Sequence, residues 1–135
     1  MDSDWQTKAP SLADFEKIAG AGFAALPVRF REAVGNLVIR VQDFASAPVL
    51  TEMGMTDPFE LTGLYDGIAL TEQSVNDLPR HPPAIWLFRR PILDEWAARG
   101  DVTLHQLVKH VLVHEIAHHF GFSDEDIAAI DDWRL

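Results

Sequence analysis

The stretch from Leu104 to Phe120 most constrains how this chain can fold. Thr103 is placed to cap a helix there and Gly121 to close it, and the positions between are apolar almost all round. A helix without a broad polar face does not lie on a surface; it forms the buried centre of its domain, with the other elements packed around it. Yet this helix carries His114, Glu115, His118 and His119. Burying two unpaired imidazoles on one face costs polar-burial energy, so the pattern calls for something that binds them.

The rest of the chain supplies covering elements. At 135 residues with 47% apolar and 24% charged residues, the chain fits one globular domain. Residues 1–10 read as a mobile N-terminal tail and residues 11–135 as the single domain. Ser11 can cap a first helix, with Asp14 three residues on and Phe15, Ile18 and Ala19 as its stripe; Pro27 can start a second, closed by Gly35. Leu37, Ile39 and Val41 alternate with Arg40 and Gln42 as in a half-buried strand, whereas residues 45–60, with Pro48, Gly54 and Pro58, read as a surface loop. Asp66-Gly67 between two apolar stretches signals a hairpin over residues 61–70. The run Ala84 to Phe88 reads as a strand that Pro91 terminates or confines to a sheet edge, and residues 92–99 as a short helix stopped by Gly100.

Charge and cysteine content exclude several classes of chemistry. A net charge of −10 argues against a nucleic-acid partner or an anionic membrane surface. The absence of cysteine removes disulfides, thiolate zinc sites, iron–sulfur ligation and cysteine nucleophiles, so any metal must use His, Asp or Glu. Met1-Asp2-Ser3-Asp4 lacks the basic start and apolar run of a signal peptide, which makes the cytoplasm the expected location.

Within the buried helix, His114 and His118 lie one turn apart on one face, close enough for both rings to reach one ion. Glu115 is rotated by roughly 100° to the flank, where it can reach a water on the open side of that ion rather than chelate it. Two neutral nitrogen ligands with a carboxylate beside them are what zinc-assisted hydrolysis requires. At this composition roughly 0.015 chance matches to His-Glu-x-x-His are expected in the whole chain. A three-ligand zinc site needs one more donor, and the chain ends 17 residues after His118. Gly121 permits a sharp turn, and Asp124 follows it six residues beyond His118. Asp124, Glu125 and Asp126 also suit the start of a final helix capped by Ser123, and the two roles can coexist. Two imidazoles and one carboxylate leave a net +1 on the zinc, which acidifies a bound water less than three imidazoles would.

The string His114-Glu115-x-x-His118-x-x-Gly121-x-x-Asp124 resembles the extended zinc signature of the metzincins with Asp as third ligand. The run His-Glu-Ile-Ala-His-His-Phe-Gly and the acidic cluster after it are similar to the minimal zincins, a small bacterial family of zinc metallopeptidases. Gly63-Leu64-Tyr65-x-Gly67 and the strand from Ile85 to Leu93 resemble that family as well. The resemblance spans residues 15–130. It implies an α+β, compact zincin-like fold, in which a few-stranded mixed sheet packs on a buried active-site helix and one strand edges the cleft. It also implies Zn2+ as cofactor and a peptide or protein as substrate. One feature of the metzincins has no counterpart: Met1, Met53 and Met55 all lie upstream of the third ligand, so Ile127, Ile130 or Trp133 would have to supply the apolar floor.

Secondary candidates follow. Tyr65, the only tyrosine, could donate to a developing oxyanion or be a rim aromatic. If residues 84–88 form an edge strand, Trp86, Phe88 and Arg89 are the candidate substrate-binding residues. His81, His105 and His110 have no motif spacing, and His119 is expected to support the ligands from behind or to pack, rather than to be a ligand. The leading expectation is a zinc metallopeptidase with ligands His114, His118 and Asp124 and Glu115 as base. The alternatives are a non-catalytic zinc-containing peptide-binding module and a zinc endoribonuclease like the rRNA-maturation zincins, whose ligand spacing is the same.

Overall fold

Capping residues set the helix boundaries in the computed structural model, which describes residues 8–67 and 82–125. Helix α1 (Leu12–Ala24) begins behind Ser11, whose hydroxyl accepts from the Asp14 N–H while the Asp14 carboxylate accepts from the Ser11 N–H. Helix α2 (Val28–Val34) follows Pro27 and stops at Gly35, where φ is 74°. Residues 45–60 are not a plain loop: they hold α3 (Ala47–Glu52) and a single 3-10 turn, Pro58–Glu60. Ser46 caps α3 through the Val49 N–H and Pro48 fits its first turn, a start signal too short to generate any periodicity.

Helix α4 (Arg89–Arg99) starts three residues earlier than expected and ends at Gly100 in the left-handed conformation. It contains Pro91 in its first turn, where a missing N–H costs nothing. Pro91 therefore does not act on the strand before it. Helix α5 (Leu104–His119) opens with a reciprocal cap between Thr103 and Gln106.

Strands β1 (Val38–Gln42), β2 (Gly63–Asp66) and β3 (Ala84–Phe88) form a mixed sheet in the order β1-β3-β2, and the fold is α+β. β3 is the central strand, parallel to β1 and antiparallel to β2, which overturns its expected place at the edge. Its continuous apolar run is that of a strand covered on both faces. The second arm of the expected hairpin, residues 68–70, lies outside the described residues. So do Ile127, Ile130 and Trp133.

The two sheet faces bury different residues. Ile85 and Leu87 of β3 point into the main core with α1 and α5, while Phe88 packs on the opposite face with Leu61 and Ala45, flanked by Trp86, Leu64 and residues of α3. Helix α5 packs against α1, α4, β2 and β3. Leu107, Leu112 and Ile116 are fully buried there, each contributing about 1.5–3 kcal/mol. The helix is not apolar all round: His105, Gln106 and Lys109 give its first half an exposed stripe. Its second half runs into the core, and there His114, Glu115, His118 and His119 lie. Among the described residues no helix is long and apolar enough to cross a membrane.

Candidate metal centre

The end of α5 is a Schellman turn. The Phe122 N–H bonds the Ala117 carbonyl at 3.0 Å and the Gly121 N–H bonds the His118 carbonyl at 2.9 Å, with Gly121 at φ 98°. This turn folds the following residues back over the helix, so that Asp124 meets the two histidines. Asp124 Oδ1 lies 3.0 Å from His118 Nε2 and 3.5 Å from His114 Nε2. The turn also orients His118: the Phe122 carbonyl accepts from its Nδ1–H at 2.9 Å, which leaves the Nε2 lone pair facing Asp124. The His114 and His118 rings meet edge to face, with centroids 5.1 Å apart.

These donors fit a zinc ion. Ligand atoms about 2.0–2.1 Å from a tetrahedral zinc are about 3.3 Å from one another, and the carboxylate oxygen stands at that separation from both nitrogens. His114, Glu115 and His118 also offer ligand atoms within 4.8 Å of one another, so Glu115 is near enough to touch an ion or a water on it.

Glu115 differs from the other members in being buried, at 8% exposure. Burial raises its pKa above the usual glutamate value; the neighbouring His118 and His114 pull it down, Asp124 pushes it up, and the Tyr65 backbone N–H, hydrogen-bonded to the carboxylate, pulls it down. The close approach that makes this bond possible depends on Gly63, two residues before Tyr65. A Cβ there would stand 2.7 Å from Val111 Cγ1 and 3.3 Å from Glu115 Cγ, so only glycine lets β2 lie this near to α5.

The Tyr65 hydroxyl is engaged elsewhere, at 2.8 Å from His119 Nδ1. Because the Val34 carbonyl can only accept, His119 Nε2 carries the proton of their 3.0 Å bond and Nδ1 accepts from Tyr65. Burial, and then the charge of Asp66, raises the phenol's pKa. A hydroxyl already donating to His119 does not point at a developing oxyanion, although Tyr65 does line the cleft.

The cluster of His114, Glu115, His118 and Asp124 opens into a cleft of about 780 Å³. Met53, Met55 and His110 line it, none of which their sequence positions single out. Trp86, Phe88 and Arg89 are not at the ion site. Trp86 and Phe88 face away from α5, and Arg89 bonds Asp43 at 2.7 Å and the carbonyl of the buried Pro10 at 2.9 Å. The reason is the alternation along β3, whose odd-numbered side chains fill the core beside α5 while Trp86 and Phe88 turn to the far face.

Sequence comparison adds one positive finding. A family model for zincin-like metallopeptidases matches residues 34–134. No curated protein matches the chain.

Proposed function

Because the chain belongs to the zincin-like metallopeptidase family, we propose that it is a zinc peptidase in which His114, His118 and Asp124 hold the ion and Glu115 is the base. The observation that carries this reading is the convergence of Asp124 Oδ1 on both Nε2 atoms, with a buried carboxylate on the flank that is tied back to β2 rather than to the donors. Zinc, when bound, supplies a Lewis acid that acidifies water and polarises a peptide carbonyl. Glu115 takes the proton of the attacking water and later passes it to the leaving amine. A purely structural site has no use for such a carboxylate.

The peptide is read as lying along β2. The Phe88 N–H to Thr62 carbonyl bond fixes the phase of the β2–β3 ladder, so Leu64 and Asp66 bond β3 while the main-chain groups of Gly63 turn away from it, along the cleft, and the Tyr65 N–H is taken by Glu115. An extended peptide fits that edge. The cleft lining includes Glu60, Glu95 and Asp124 and, among the described residues, no lysine or arginine, which disfavours the endoribonuclease reading.

The test compares zinc content and peptide hydrolysis in the native chain and in Glu115→Gln. One zinc per chain is expected in both, with cleavage of a mixed peptide pool about 10²–10⁴-fold slower in the variant. Loss of zinc in Glu115→Gln would make Glu115 a ligand. A native, zinc-loaded chain that cleaves nothing in the pool would leave the non-catalytic peptide-binding module.

A further inference from the structure

Two residue pairs interleave at the end of α5. His114 and His118 turn one flank to the ion site, and Glu115 and His119, each one residue on, turn the next flank to β2. Both members of the second pair act on Tyr65. Its main-chain N–H donates to the Glu115 carboxylate and its hydroxyl donates to His119 Nδ1, one helical turn away.

His119 is itself held from the other side. It is 1% exposed, its ring stands edge-on to the Tyr65 ring with centroids 5.3 Å apart, and its Nε2–H donates to the Val34 carbonyl. That carbonyl is one of those at the end of α2 that the helix leaves without an internal partner. The imidazole thus joins α5, α2 and β2 at one point. The backbone also makes room for the bond: a Cβ on Gly67 would lie 2.7 Å from the Tyr65 hydroxyl oxygen and 2.9 Å from Pro83 Cβ.

Such an anchor has work to do. β2 is four residues long and ends the sheet order among the described residues, so its ladder to β3 holds it from one side only. A glutamate side chain with three rotatable bonds is steadied by a main-chain N–H only as well as that N–H is fixed. The geometry points to His119 as a positioning residue: by anchoring Tyr65 to α5 and α2, it holds the Tyr65 N–H against Glu115 and so fixes the carboxylate beside the ion site. This rests on the reading of Glu115 as the base. Tyr65 acts with it as the link, through its hydroxyl on one side and its backbone on the other.

The experiment uses the zinc-loaded full chain and three variants, His119→Ala, His119→Gln and Tyr65→Phe. It measures zinc per chain, hydrogen exchange of the Tyr65 amide, and kcat and KM on a peptide the native chain cleaves. His119→Ala and Tyr65→Phe should keep one zinc, exchange the Tyr65 amide about tenfold faster or more, and lower kcat about 10–100-fold with KM within about twofold, as expected when a reacting group is displaced by an ångström or less. His119→Gln has an amide that can donate to Val34 and accept from Tyr65, and it should recover most of both losses. Unchanged Tyr65 exchange in Tyr65→Phe, which deletes one oxygen and leaves the core filled, would overturn the proposal. So would a His119→Gln no better than His119→Ala, or a kcat loss that follows lost zinc, since His119 would then act on the ligands. If the native chain holds zinc and cleaves nothing, the peptidase reading alone fails, and the exchange rates still decide whether His119 anchors Tyr65.

Discussion

Glu115 is placed where burial and chemistry pull in opposite directions. Desolvation raises its pKa in the folded chain above the value it has when unfolded, so folding favours its protonated form. Its contribution to stability is full below the ordinary glutamate range and is lost as pH rises through the raised folded value, above which a buried charge opposes folding. Glutamine carries no charge at any pH and can still accept from the Tyr65 N–H. Metal-free Glu115→Gln is therefore expected to melt above the metal-free native chain at neutral pH, with the gap closing below the ordinary glutamate value. Calorimetry in a chelator across that range would show this, and equal melting temperatures throughout would refute it. The spacing of His114, Glu115 and His118 was legible because a helix converts residue number directly into direction. The engagement of the Tyr65 hydroxyl was not, since its partner His119 is 54 residues away and only the tertiary fold brings the two together.

Among the elements, the helix ends were the most readable, because Ser11, Thr103 and Gly100 act on backbone groups within four residues of themselves. Sheet position was not readable. Pro91 reads in the sequence as a limit on β3, whereas it belongs to α4, and nothing local to residues 84–88 distinguishes a centre strand from an edge strand except apolar content on both faces. The β2–α5 contact was equally hidden, because a glycine shows no partner in a sequence. Gly63→Ala tests that contact. Its Cβ would meet the short, branched Val111 side chain at 2.7 Å, so the strand or the helix must move, and a loss of about 1–3 kcal/mol is expected in urea unfolding at unchanged m. An unaltered midpoint would mean that β2 rides further from α5 than described.

For the molecule as a whole, an ion held as proposed would link two parts of the chain that the sequence merely sets side by side. Binding only to the folded state, zinc at a hundred times its dissociation constant stabilises by about 2.7 kcal/mol, and His118→Ala should abolish that response by removing a donor. The Schellman turn at Gly121 gives this linkage a mechanical character. His114 and His118 stand on a helix embedded in the core, which cannot yield, while Asp124 stands beyond a pivot whose φ of 98° few side chains tolerate. A clamp built this way grips only while that turn keeps its left-handed form. In the same thermal-shift series Gly121→Ala, which strains the turn that brings Asp124 back over the helix, is therefore expected to lose most of the native chain's response to zinc, and an unaltered response would mean that Asp124 does not need that turn.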